Sequence, residues 1–110
     1  MTNKVVVLCT CGSPEEAEKI ARELVSQRLA ACVSIVAGVR SLYQWKGAVE
    51  DSQETLLVIK STRDLFPRLK TELSRLHSYE VPEIIALPVV DGADPYLAWM
   101  DAELIAEPRP

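Results

Sequence analysis

The chain has 110 residues, 48% of them hydrophobic and 25% charged, with a formal net charge of −4. That is the profile of one ordinary globular domain spanning residues 1–110, long enough to bury a real core. An acidic balance without a Lys/Arg cluster argues against nucleic acid and anionic membranes as partners, and no apolar stretch reaches the ~18 residues of a membrane span, so no membrane insertion is expected.

The N-terminus, MTNKVVVLCTC, offers only the short apolar run Val5 to Cys9, which predicts no signal peptide. Three cysteines, an odd number, then suggest reduced thiols and a cytoplasmic protein.

Lys4 to Thr10 is a β-branched run and predicts a buried strand. Ser13-Pro14-Glu15-Glu16 reads as a capping box, with Ser13 as N-cap, Pro14 at the first helical position and Glu16 three residues on. Ala17, Ile20, Ala21, Leu24 and Val25 form one helical face, while Glu15/Lys19 and Glu18/Arg22 are i,i+4 pairs on the solvent side. This helix is expected to end near Arg28. Ala31 to Trp45 and Ala48 to Ser61 read as two long strands joined by a Lys46-Gly47 turn, with Gly38 as a bulge or bend in the first. Thr62 or Ser61 is expected to cap a second helix carrying Leu65, Phe66, Leu69, Leu73 and Leu76 on one face. Glu83 to Val90 reads as a fourth strand, and Pro88, which has no amide proton, places it at a sheet edge. After an Asp91-Gly92 turn, Asp94 is expected to cap a short third helix with Pro95 first and Leu97, Met100 and Leu104 inward. Residues 107–110 read as a frayed tail. The order β-α-β-β-α-β plus a C-terminal helix, with mirrored halves, predicts an α+β, ferredoxin-like sandwich.

The hairpin is too long for such a domain. At ~3.3 Å per residue its first strand reaches roughly 50 Å, whereas a domain of this size is only about 35 Å across. A projecting hairpin exposes strand edges, which another subunit would cover. VVVL, LLVI and IIALPVV are also nearly continuous apolar runs, implying burial on both faces of the sheet. Two helices cover one face, so a second copy is the expected cover of the other; a monomer covered by the third helix and a twisted hairpin is the alternative.

Chemistry is sparse. Cys9 and Cys11 share one face of the first strand, where thiolates would suit copper or zinc, although spacing alone favours two small buried hydrophobes. Cys32 lies in an apolar run and reads as core. His77, the only histidine, ends the second helix, where it either interacts with the helix terminus or ligates a metal beside a first-strand thiolate. Lys60 and Glu83 flank apolar strands, as edge protection or as charges facing a cleft. Tyr43 and Trp45 near the hairpin tip suit inter-subunit anchors or pocket walls. Glu50, Asp51 and Glu54 read as a solvated acidic face. No phosphate loop or G-x-S-x-G is present, and no nucleophile, base and stabiliser set can be assembled, so an enzyme is not expected.

Several segments together resemble the CutA family of divalent-cation tolerance proteins. They are Leu8-Cys9-Thr10, Arg28 to Val33, Gly38 with Ser41 to Gly47, Leu57 to Thr62, Tyr79 to Val89, and Tyr96 to Trp99. The resemblance implies a cytoplasmic homotrimer of ferredoxin-like protomers whose long hairpins pair across subunits. It also implies copper binding by a first-strand cysteine and histidines after the second helix. By position these are Cys9 and His77; Leu76 stands where the family carries a further histidine, and Cys11 is an extra thiol. The fold and trimer resemble PII signalling proteins too, which bind small ligands in clefts between subunits.

Three readings follow. The first is a non-enzymatic homotrimer that binds a divalent metal, copper above all, through Cys9 and His77. The second is a PII-like sensor that binds a small ligand at a cleft between subunits, with Tyr43, Trp45, Lys60 and Glu83 as candidate lining residues. The third is a trimeric module that presents a surface to an unidentified protein partner.

Overall fold

The β-branched run after Lys4 forms β1 (Lys4–Cys11), and the Ser13 hydroxyl accepts from the Glu16 amide at 3.1 Å to start α1 (Pro14–Ser26). Pro14 fits there because the first helical turn leaves its amides without internal partners. The computed structural model describes residues 1–105, so the expected tail over 107–110 lies outside the described residues. The remaining elements are β2 (Cys32–Trp45), β3 (Ala48–Thr62), α2 (Phe66–Leu76), β4 (Ile85–Pro88) and α3 (Asp94–Glu103). All strand pairs are antiparallel, in the order β2-β3-β1-β4. The fold is α+β, with one four-stranded sheet and three helices.

Alternation along the strands sorts side chains to two faces. Val7, Cys9, Leu57 and Ile59 point to one face and are wholly buried beneath Ile20 and Leu24 of α1 and Leu69 and Leu73 of α2. Each such aliphatic side chain contributes about 1.5–3 kcal/mol when removed from water. The other face is covered at its two ends, by α3 with Met100 buried and Asp101 2.9 Å from the Lys4 ammonium, and by Tyr79 on the buried Glu54. Elsewhere on it Val36, Ile85 and Leu87 remain 43–49% exposed.

The β2–β3 hairpin turns at Lys46 and Gly47, both at positive φ (50° and 82°), which matches the right-handed twist of paired strands. Its projection stretches the molecule to 43 × 28 × 24 Å. Register shifts by one residue between Val36, opposite Leu56, and Val39, opposite Glu54. Gly38 sits in that bulge at φ +75°, a conformation glycine adopts without a Cβ penalty. The extra residue exchanges odd for even positions along the rest of β2.

Some boundaries differ from expectation. β4 is shorter than Glu83 to Val90: Pro82 and Pro88 bracket it, leaving Glu83 in the preceding loop, and Pro88 pairs with Val5 at the sheet edge. Neither Ser61 nor Thr62 caps α2. Thr62 accepts from the Leu65 amide at 3.3 Å in a turn that precedes the helix, while the buried Ser61 donates to the Leu29 carbonyl. α3 begins one residue early, so Ala93 rather than Asp94 is its N-cap. The α1 box is not reciprocal either, because Glu16 reaches elsewhere, as follows.

Candidate functional site

β1 carries Cys9 and Cys11 on its helix-covered face, both wholly buried. The end of α2 brings His77 against them. One ligand atom from each of Cys9, Cys11 and His77 lies within 4.8 Å of the others, the one group with metal-ligand potential found among the described residues. Strand spacing alone put the two thiols together; the histidine joins them only through the packing of α2 on β1.

The histidine is held firmly. Its side chain is fully buried, Nε2 lies 2.7 Å from the Thr10 carbonyl, and Nδ1 lies 3.0 Å from the Tyr79 amide. A carbonyl needs a donor and an amide an acceptor, which assigns the proton to Nε2 and the lone pair to Nδ1. Glu16 braces the same turn, accepting from the Ser78 amide at 2.7 Å and the Gly12 amide at 3.3 Å. Burial pushes the Glu16 carboxyl up, but the Ser78 hydroxyl and these amides outweigh it and hold the group below the usual carboxylate range. The two thiols behave as a pair. Their mutual hydrogen bond, then burial, drives Cys9 far up; the same hydrogen bond favours the Cys11 thiolate against the cost of burial.

Beyond His77 the chain enters a second feature, a cleft of about 620 Å³ between the outer half of the hairpin and the Tyr79–Glu83 loop. The bulge places Ser41, Tyr43 and Trp45 on the same face as Glu54, and all four line the cleft. Glu54 is only 7% exposed and accepts from the Tyr79 hydroxyl at 2.9 Å. This corrects its reading as part of a solvated acidic face, which holds for Glu50 and, through an exposed Arg40 pair at 2.6 Å, for Asp51. Burial first, and the Glu54 carboxylate second, raise the Tyr79 hydroxyl well above its ordinary range.

Of the expected cleft residues, Tyr43, Trp45 and Glu83 meet here, and Lys60 does not. Lys60 donates to the Ser34 hydroxyl at 2.6 Å, beside Cys32 at 3.7 Å, far along the sheet from Glu54. Cys32 is half-buried next to Tyr96 rather than in the core. The residues sequence reasoning missed are Glu54 and Tyr79. Only the parity exchange at Gly38 could have flagged the first, and nothing local flags the second.

The family model for the CutA1 divalent ion tolerance protein matches residues 5–103. The divalent-cation tolerance protein CutA of Thermus thermophilus is 52% identical over 95 residues, covering 86% of this chain and 92% of that protein. Among solved structures, CutA1 from Oryza sativa superposes with a TM-score of 0.93 at 38% identity, covering 94% of this chain and 95% of that one. CutA from Xylella fastidiosa gives 0.92 at 38% identity, covering 94% and 100%.

Proposed function

The chain belongs to the CutA1 divalent ion tolerance family, and on that premise we propose that it is a non-enzymatic protein that holds a soft metal ion, copper above all, between Cys9, Cys11 and His77. The observation that carries this reading is the buried convergence of those three ligand atoms within 4.8 Å. Two thiols and an imidazole suit copper(I) or zinc better than a hard cation. All three cysteines are free, which agrees with a reducing compartment such as the cytoplasm.

The donor set fits a metal at a definite cost. Thiol protons must leave, and the histidine must release the Tyr79 amide from Nδ1 or the Thr10 carbonyl from Nε2. Nδ1 already carries the ring's lone pair, so once the Tyr79 amide is released it is the nitrogen that can ligate without a change of tautomer.

The same reading takes the β2-β3-β1-β4 order as the ferredoxin-like plan and the working form as a homotrimer. The half-exposed Val36, Ile85 and Leu87 and the projecting hairpin support assembly, since each offers apolar surface or strand edge to a second copy.

Native mass spectrometry during a copper(I) titration of chelator-treated protein tests both parts. The expected species is near three times 12.2 kDa and takes up about one copper per chain. Uptake should vanish in Cys9→Ser and Cys11→Ser while the mass of the assembly stays. An assembly that takes up no copper would sink the metal reading; a species of single-chain mass would sink the assembly.

A second reading is that of a PII-like sensor, and the cleft beside His77 is the observation that favours it. A binding volume of this size is typical of small-molecule sites.

A further inference from the structure

Resting on that second reading, we propose that the cleft is a site for an organic ammonium cation. Its walls are the aromatic rings of Tyr43, Trp45 and Tyr79 and the carboxylates of Glu54, Glu80 and Glu83, and among the described residues no Lys or Arg lines it. Aromatic faces carry negative potential and attract ammonium groups, most strongly when water is excluded.

Glu54 decides the sign of the ligand. It is 7% exposed, its one hydrogen bond comes from a neutral phenol, and none of the ion pairs among the described residues includes it. A buried carboxylate without a cation is costly, so the missing partner is a positive charge. An anion, the ligand that Lys60 would have suggested, meets three carboxylates and, among the described lining residues, no Lys or Arg.

The spread of charge argues for a bulky cation over a metal ion. One carboxylate stands on the hairpin and two on the facing loop, and the three do not form a metal-ligand group; among the described residues only Cys9, Cys11 and His77 do so. Diffuse charge ringed by aromatic surface matches an alkylated ammonium, whose positive charge is spread over its methyl groups. Trp45 already meets a cation on one side, where the Lys46 ammonium stands 5.8 Å from the ring centroid.

The cleft shares its wall with the metal cluster. Tyr79 gives its hydroxyl to Glu54 and its amide to His77 Nδ1, and Thr10 lines the cleft while its carbonyl holds Nε2. A cation seated on Glu54 therefore bears on the residue that must shift for His77 to ligate. Such a linkage is reciprocal.

The test follows Trp45 emission in a Trp99→Phe background, which leaves one of the two tryptophans. Choline chloride is the probe, with sodium chloride at equal ionic strength as the salt control. The uncharged isostere 3,3-dimethylbutan-1-ol and sodium acetate are the ligand controls. Saturable binding of choline alone is expected, weakened at least tenfold by Glu54→Gln, which keeps an acceptor for Tyr79. Glu83→Gln, at an exposed position that leaves the fold intact, should weaken it severalfold. Equal binding of the uncharged isostere, or binding of acetate instead, would overturn the cation while sparing a small-ligand site. No saturable response to any probe would overturn both, as would a Lys or Arg of a second copy seated on Glu54 in the assembled protein.

Discussion

The two faces of this sheet are made from the same strands, yet they are finished differently. On the helix side Val7, Cys9, Leu57 and Ile59 are completely buried. On the reverse, only the ends under α3 and Tyr79 are closed, and Val36, Ile85 and Leu87 stand nearly half in water. The strands are apolar on both faces because they are written for burial on both, and one chain supplies cover for one. What a single chain completes is a core; what it leaves open is an apolar face and the cleft beside it.

The comparison can be broken at three places. Leu24→Ala removes a fully buried side chain from the finished face and should cost about 2–5 kcal/mol in chemical unfolding. A loss below about 1 kcal/mol would mean that this face is not the stabilising one. Leu87→Glu adds charge to the open face and should leave far-UV circular dichroism unchanged. Mass by light scattering should fall from the assembly to single chains near 12.2 kDa. An assembly of unchanged mass would show that another surface holds the copies together. Gly38→Val should have the smallest effect on stability. A Cβ there meets nothing within 4 Å, so the cost is the left-handed backbone alone, about 1–2 kcal/mol, more for a β-branched residue. Melting and native mass would register it as a destabilised, loosened assembly, and an unchanged melting curve would refute the strain.

Most of the fold was legible because its signals are local. The Ser13 cap, the Lys46-Gly47 turn, the Gly38 bulge and the edge position forced by Pro88 are each decided by the backbone chemistry of one or two residues. Helix starts were read less well. Leu65 and Ala93 begin helices without a side-chain cap, and a cap was the signal sought. The site was half legible. Period-two spacing put Cys9 beside Cys11, whereas the approach of His77, the burial of Glu54 and the reach of Tyr79 depend on contacts across 25 to 67 residues of chain. Lys60 lies away from this cleft within one chain, and a charge ending an apolar run does not say which groups across the sheet it will meet.

The single extra residue at Gly38 acts as a reading frame for everything beyond it. It decides that Ser41, Tyr43 and Trp45, and not Leu42 and Gln44, share the face of Glu54. Deleting one residue between the bulge and the turn would exchange the two sets and line the cleft with the wrong alphabet; deleting two would shorten the hairpin and keep the message. Length along this strand is therefore free to change only in even steps.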